Sequence, residues 1–442
     1  MADSLDDVVT LPNSRPGADP LAVFRHDRLP SWALVRYAMD ATEVVDVEAA
    51  VREQFETVRD LLPARGRVCL ALGSRGIDRI AEVARAAVTV IRARGLDVFA
   101  IPAMGSHGGA TPAGQLEVLD SLGIREDTIG CEIRSSMDTV RLGEVEGGVP
   151  VFVDRHAVQQ ADLVIPVNRV KPHTDFSGPT ESGLLKMIAI GLGKQHGADT
   201  FHGEGFATFP RLIPAVAAFT VSRVSIPFGL ALIENGHARL RRIEAVPAAS
   251  MLARERELLV EANGYLARLP LATFDVLILD QIGKDVSGLG MDSNVVGRYY
   301  TGPTGRPPAI QRIIVRDLTD ETEGNAVGIG MADIALRRAV ERMDVAKTYM
   351  NTVTAKTPEG ARVPITVDTD RQALDLAIAC CLRVQAATAR IVRIVDTKHL
   401  GWFYASEPLI EELLGTGRCT LAGPPAPIGF DSAGQLVDPL PA

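Results

Sequence analysis

Apolar and polar positions follow a regular order from residue 67 onward. The run RVCLALG is short and apolar, as in a buried strand, and IDRIAEVARAAVTVIRARG follows it with apolar residues at helical spacing up to a closing Gly95. The unit repeats in DVFAIPAMGSHGGATPAGQLEVLDSLG, where Thr111 and Pro112 can cap and begin the second helix. A third buried strand is predicted in ADLVIPVNRV, residues 161–170.

Residues with functional side chains follow each of these predicted strands. Strands that alternate with helices form right-handed crossovers and a mostly parallel sheet, and such sheets bind ligands in the loops after the carboxyl ends of their strands. Those loops carry Arg75, His107 and His173. We therefore expect the three side chains to lie at one edge of the sheet.

A second unit with the same pattern begins near residue 265. TFDVLILDQIG and ARIVRIVDT read as strands, NAVGIGMADIALRRAVERMD as a glycine loop and a helix, and DLAIACCLRV as a helix. The fold class predicted is α/β, with two α/β domains, mostly parallel sheets and an interdomain cleft. We place the domains at residues 1–268 and 269–420, and we expect the Pro- and Gly-rich tail, 421–442, to pack on the first domain or to be loose.

Composition narrows the class of protein. The 442 residues are 46% hydrophobic and 23% charged, as in globular proteins, and a formal charge of -9 without clustered Lys or Arg argues against nucleic acid or an acidic membrane as partner. Five cysteines without CxxC spacing suggest reduced thiols. The acidic start MADSLDDVVT and the lack of a long apolar run lead us to expect a cytoplasmic protein that binds a small molecule.

The stretch VKPHTDFSGPTESGLLKMIAIGLGKQHGADTFH, residues 170–202, concentrates histidine and lysine among small residues. Histidine titrates near neutral pH, so His107 and His173 on separate loops could remove and return a proton, and a third histidine could hold a metal. The alternative is that each is an ordinary loop histidine. Lys186 lies in an apolar setting and needs a partner, whereas Lys194 is either solvated or faces a phosphate.

Two further segments admit two readings each. GLGKQHG lacks the GxGxxG spacing of a dinucleotide loop, so we do not predict a Rossmann cofactor site there. Residues 284–302, KDVSGLGMDSNVVGRYYTG, have the composition of a binding loop that includes Arg298, and the alternative is a long structural turn.

These motifs resemble the nickel-dependent lactate racemases and related 2-hydroxyacid racemases and epimerases, chiefly over residues 65–205. The resemblance rests on LGSRG, GSHGGAT, PHTDFSG and TFH. It implies two α/β domains around a nickel pincer nucleotide, a pyridinium nucleotide whose thio groups bind nickel. It also implies that Arg75 binds the substrate carboxylate, that His107 and His173 are the acid/base pair, and that His202 binds the metal.

The chain also differs from that family. The lysine that tethers the pyridinium is expected three residues after FSG, where this sequence has Glu181, and Lys186 is the nearest alternative; we count both, with Lys194, as cofactor-binding residues, the covalent tether being uncertain. The Gln and Lys expected from the second domain are not evident, and Arg298 is a candidate for that cation.

The resemblance implies racemisation or epimerisation at C2 of a 2-hydroxy acid by proton-coupled hydride transfer. Two alternatives remain open from the residues. One is a metal-dependent hydrolase or lyase with the histidines and Asp175 or Glu204 as ligands, and the other is a non-catalytic binder of an anionic metabolite. The substrate and the oligomeric state are not specified by the sequence.

Overall fold

The computed structural model describes residues 21–73, 76–300 and 308–441. Its first sheet has five strands in the order β3-β2-β6-β7-β8. All neighbouring pairs are parallel except β7 with β8. The strands are β2 (Arg67–Leu72), β3 (Asp97–Pro102), β6 (Leu163–Arg169), β7 (Phe228–Glu234) and β8 (Leu240–Pro247).

Helices cover both faces of this first sheet. Cys69 and Ala71 of β2 belong to one core and Val68, Leu70 and Leu72 to the other, as expected of a strand buried on both sides. The hairpin β4 (Thr139–Val145) and β5 (Val149–Asp154) lies beside the sheet. The helices are α1 (Val47–Thr57), α2 (Ile80–Ala93), α3 (Pro112–Ser121), α4 (Glu126–Ile129), α5 (Arg155–Gln159), α6 (Leu184–Lys186), α7 (Lys194–Glu204), α8 (Phe209–Val221) and α9 (Met251–Tyr265).

The second sheet has the order β12-β11-β10-β9-β13-β14-β1-β15, and β16 also pairs with β1. Strands β9 to β13 are parallel, and β14, β1, β15 and β16 add an antiparallel edge. The strands are β1 (Ser31–Tyr37), β9 (Thr273–Leu279), β10 (Ala309–Val315), β11 (Ile334–Leu336), β12 (Ile365–Val367), β13 (Ile391–Ile394), β14 (Trp402–Ser406), β15 (Cys419–Leu421) and β16 (Ala426–Pro427). The helices are α10 (Ser293–Val296), α11 (Arg337–Glu341), α12 (Val345–Thr354), α13 (Asp370–Ala379) and α14 (Glu407–Gly415).

The predicted α/β class with mostly parallel sheets is confirmed, but the tail lies elsewhere than predicted. The prediction that residues 421–442 pack on the first domain is wrong for the described part, because β16 pairs with β1 and Asp438 accepts a hydrogen bond from Trp32 Nε1 at 3.1 Å. Since β1 itself belongs to the second sheet, the N-terminal strand and the tail complete that sheet together. The boundary near residue 268 stays a prediction. None of the helices in the described ranges is long and apolar enough to cross a membrane.

Candidate functional site

The loops after β3 and β6 place His107 and His173 at the same edge of the first sheet. Both strands run parallel to β2, so their carboxyl ends meet at that edge, as the sequence predicted. The corresponding loop after β2 contains Arg75, which lies outside the described residues. Two of the three predicted side chains are therefore supplied by the loops after β3 and β6, the strands on either side of β2.

His173 is fixed by its own loop. The ring is buried, and its Nδ1 accepts a hydrogen bond from the backbone N–H of Asp175 at 3.0 Å. Because a backbone N–H only donates, Nδ1 carries no proton, and the neutral ring has its proton on Nε2. That Nε2 is in contact with Nζ of Lys186. Phe176 packs against the imidazole with ring centroids 4.4 Å apart.

Glu181 shapes this loop and does not offer its carboxylate to a ligand. One oxygen accepts from the His173 N–H at 2.6 Å and the other from the Gly178 N–H at 3.1 Å, and the residue is 1% exposed. The prediction that Glu181 binds a cofactor is therefore corrected: its charge is used by the backbone of residues 173–178. It holds His173 in place from inside the loop.

Lys186 is the last residue of α6, and hydrogen bonding to Glu255 fixes this short helix. Glu255 of α9 accepts from the Leu185 N–H at 3.0 Å, and burial raises the pKa of Glu255 to about 7. A Cβ at Gly183 would lie 2.5 Å from the Glu255 carboxyl carbon, so only glycine fits there. A π-helical turn, Met187–Gly191, connects α6 to α7, and π turns are frequent at functional sites.

His202, on α7, lies in the same cluster. Its ring meets Phe206 edge to face at 5.5 Å between centroids, and Phe206 also lies 6.4 Å from the His173 ring. Within the described residues the buried Nδ1 of His202 has no hydrogen-bond partner. Burial, with Lys186 and Lys356 adding positive charge, lowers the pKa of His202, so the imidazole is neutral at neutral pH.

His107 lies in a loop that folds back on α3. Its N–H donates to Met104 O at 3.2 Å, and its carbonyl accepts from Gln115 Nε2 at 3.4 Å. A Cβ at Gly114 would lie 2.0 Å from Gly108 O, so a glycine there permits this close approach. The half-buried imidazole lies on the loop after β3, while the contacts described above join His173, Lys186 and His202.

Lys194 does not face a cofactor. Its side chain is 0% exposed, and Nζ contacts Pro102 O, Gln115 Oε1 at 3.1 Å and Asp154 Oδ2 at 3.1 Å. The ammonium donates hydrogen bonds to Pro102 O and Gln115 Oε1, and Asp154 lies at ion-pair distance. The prediction that Lys194 binds a cofactor or phosphate is therefore wrong: it is a buried internal cation.

The predicted loop 284–302, in the second half of the chain, contacts the His173 loop through Asn294 and not through Arg298. Asn294 Nδ2 donates to His173 O at 3.2 Å, and Tyr299 OH donates to Asn294 Oδ1 at 3.1 Å. The Arg298 guanidinium instead donates to Met331 O and Gln311 O and pairs with Asp333 at 2.6 Å. The prediction that Arg298 binds substrate is corrected, because these acceptors of the second half already bind its guanidinium.

Two residues near the site were missed from the sequence. Lys356, just past α12, is exposed, has a φ of +58°, and is close enough to lower the pKa of His202. Tyr300 has a buried hydroxyl without a hydrogen-bond partner among the described residues, and burial with Asp175 and Glu359 raises its pKa. Neither residue stands in a recognisable motif, so their proximity depends on how the two halves pack.

A surface groove of about 610 Å³ lies away from these residues. Its lining includes Arg67, at the start of β2, and is completed by Glu132, Arg134, Ser135, His156 and Gln160. Because β2 ends at the histidine edge, a groove at its first residue belongs to the opposite edge of the sheet. The described residues also contain no group of three His, Cys, Asp or Glu side chains arranged to hold a metal ion.

Comparison with known proteins gives similarity at the level of fold. No protein-family model and no curated protein matches the chain. A Thermotoga maritima protein solved by the Northeast Structural Genomics Consortium is 17% identical, with a TM-score of 0.48 over 63% of this chain and 72% of that one. The lactate racemase apoprotein of Thermoanaerobacterium thermosaccharolyticum is 14% identical, with a TM-score of 0.49 over 85% of this chain and 94% of that one. At these identities the likeness concerns the course of the chain and not the side chains of the site.

Proposed function

We propose that this chain is a racemase or epimerase that acts at C2 of a 2-hydroxy acid and uses a nickel pincer nucleotide. The observation that carries the proposal is the convergence of His173, Lys186 and His202 on one aromatic cluster, beside the loop that presents His107. Those are the residue types that the sequence resemblance implies for a proton acceptor, a cofactor amine and a metal ligand.

The residues fit a metal that arrives with ligands of its own. A bare zinc ion takes three or four protein ligands, whereas the thio groups of a pincer nucleotide would supply ligands of their own, and His202 would be the residue that holds the metal on the protein side. His202 offers a neutral imidazole with an unpartnered Nδ1, the form that binds metals. When bound, the cofactor would supply the acceptor for the hydride from C2.

Lys186 is the residue we propose for attachment of the cofactor, in place of Glu181. Lys186 Nζ is in contact with Nε2 of the His173 ring, so the amine lies inside the cluster that also contains His202. A lysine amine is the side chain that can form a covalent bond to a cofactor by nucleophilic attack. Glu181 has no amine for such an attachment, and its two carboxylate oxygens accept hydrogen bonds from backbone N–H groups.

The acid and base would be His173 and His107. Inversion exchanges the positions of the hydroxyl and the hydrogen at C2, so a proton acceptor is needed on each side of the substrate. Since Nδ1 of His173 accepts from the Asp175 N–H, the ring proton lies on Nε2, so His173 would give a proton to the substrate oxygen while His107 takes the hydroxyl proton. The loop after β3 would present His107 from the other side.

The substrate carboxylate would meet cations from both halves. Arg75 is our expected carboxylate ligand, because an arginine in the loop after β2 has the planar fork that binds carboxylates in two places. We propose Lys356 as the cation of the second half, since the Arg298 guanidinium is occupied. The backbone N–H of Lys356 donates to Val353 O at 3.1 Å, whereas its exposed ammonium forms no hydrogen bond or ion pair within the described residues and is available to a ligand.

The test is to produce the protein together with cofactor-making enzymes and nickel, and to incubate it with 2-hydroxy acids and sugar acids in deuterated water. Stereochemical scrambling or deuterium at C2 is expected, with a loss of at least about a hundredfold in His107→Ala and in His173→Ala. His156→Ala, in the groove at the opposite edge, is the matched control and should keep full activity. Unchanged turnover in both histidine variants would refute their role.

A further inference from the structure

A fully buried cation lies between the two predicted catalytic elements of the first half. Lys194 begins α7, and both it and its partner Asp154 are 0% exposed. Burial lowers the pKa of Lys194, and Asp154 opposes that shift. Neither Lys194 nor Asp154 takes part in the proposed reaction. Burying a charge pair costs desolvation energy. The residues that Lys194 contacts therefore indicate its structural role.

The ammonium fixes the orientation of a buried amide. Gln115 on α3 is 0% exposed and directs Oε1 at Lys194 Nζ, 3.1 Å away. Because a lysine ammonium only donates, it requires the oxygen of the amide on its side. The NH₂ of Gln115 must then point the other way, toward acceptors.

Those acceptors belong to the loop that carries His107. Gln115 Nε2 donates to Gly105 O at 2.9 Å and to His107 O at 3.4 Å. Lys194 Nζ also contacts Pro102 O, the last residue of β3 and the start of the same loop. The cation therefore holds the loop directly at its root and indirectly, through one amide, at His107.

The same lysine also fixes the helix of the metal-binding candidate. Lys194 has a φ of +51°, a conformation that is unfavourable for a residue with a side chain and persists only where surrounding contacts hold it. It lies eight residues before His202 on α7. Its contacts therefore connect the position of His202 to that of the His107 loop.

We propose that Lys194 is a positioning residue, which acts through Gln115 to hold the His107 loop at a fixed place relative to α7. The assignment of His107 as an acid/base group rests on the proposed function, but the positioning itself does not. Removal of the link should leave the fold intact and loosen residues 103–111.

Two variants test the link. Gln115→Met removes the amide and keeps a side chain of similar size, while Lys194 retains Asp154. The double variant Lys194→Met with Asp154→Asn removes both charges, so neither is left unpaired, and the asparagine oxygen can still accept from the His156 N–H that caps α5. Gln195→Met is the matched control, because Gln195 is half-buried on α7 and its side chain bonds only to Asp199 in the described structure.

Hydrogen exchange and histidine NMR read out the position of the loop without activity. Amide exchange in residues 103–111 should rise about tenfold or more in both variants, with β6 unchanged. The Cε1–H resonance of His107, assigned among only eight histidines with a His107→Gln sample, should shift or broaden. Wild-type exchange and an unmoved His107 resonance in Gln115→Met would overturn the proposal.

An activity assay separates this inference from the proposed function. If the wild-type protein racemises 2-hydroxy acids, kcat should fall about tenfold or more in Gln115→Met with KM within about twofold, because positioning of the base affects the chemical step. Altered exchange and NMR without turnover in the wild type would support the positioning role and refute the racemase. Equal loss of kcat in Gln195→Met would contradict the role of Lys194.

Discussion

Replacement of Glu255 by glutamine is expected to remove a pH dependence of stability from the first half of the chain. Glu255 is 1% exposed, and burial raises its pKa from 4.5 to about 7, although the backbone N–H groups of Leu184 and Leu185 oppose the shift. The folded state therefore holds this proton at pH values where the unfolded chain has released it. Glutamine keeps the acceptor for the Leu185 N–H and cannot ionise.

The sign follows from proton binding. Between pH 4.5 and about 7 the folded state binds more protons than the unfolded state, so the free energy of unfolding falls as the pH rises. The contribution of Glu255 is complete below pH 4.5, is lost progressively up to pH about 7, and is constant above. A shift of this size corresponds to about 3 kcal/mol, at about 1.4 kcal/mol per pKa unit.

Urea unfolding followed by far-UV circular dichroism at several pH values measures the effect. The free energy of unfolding of Glu255→Gln minus that of the wild type should increase by about 3 kcal/mol from pH 4.5 to pH 8. Glu257→Gln, an exposed position two residues further along α9, is the control and should follow the wild type. The tryptophans, Trp32 and Trp402, lie in the second sheet, so their fluorescence follows that half separately. A difference that stays constant with pH would refute the raised pKa.

Three further expectations concern single side chains. Lys186→Met should abolish any covalent cofactor adduct, which intact mass spectrometry detects, and an adduct that survives would exclude this amine. Lys356→Ala should raise KM for an anionic substrate about tenfold with little change in kcat. The increase in KM should be smaller at high salt because the charge of Lys356 is exposed. An unchanged KM would show that Lys356 does not bind the substrate. Arg298→Met should lower stability by about 2 kcal/mol, measured by urea unfolding, because Met331 O and Gln311 O lose a charged donor, and it should leave KM unchanged; a raised KM with normal stability would restore Arg298 as a substrate ligand.

The sequence predicted the elements that depend on local pattern. The strand before His173 is an apolar run, and its position in a parallel sheet follows from the helix that precedes it, so the edge that carries His107 and His173 could be deduced from periodicity alone. The capping of α3 by Thr111 was equally local, and its hydroxyl accepts from the Gly114 N–H. Such features need only neighbours along the chain.

The fate of charged side chains could not be deduced in the same way. Glu181 and Arg298 each have a residue type that suits ligand binding, yet backbone groups brought near by the fold use their charges. For Lys194 the decisive neighbours are Pro102 and Gln115, 92 and 79 residues away. The pairing of β1 with β14 is likewise a contact between the two ends of the chain.

The remaining charges determine what the site can attract. The chain carries a formal charge of -9, but salt screens exposed charges beyond about 8–10 Å, so the groups beside the ligand set the local potential. Near His202 those groups are Lys186 and Lys356, opposed by Asp199, while the imidazole itself stays neutral. Lys186 belongs to the first half of the chain, whereas Lys356 comes from the other half. Attraction of an anion at this site then depends on how closely the two halves approach each other.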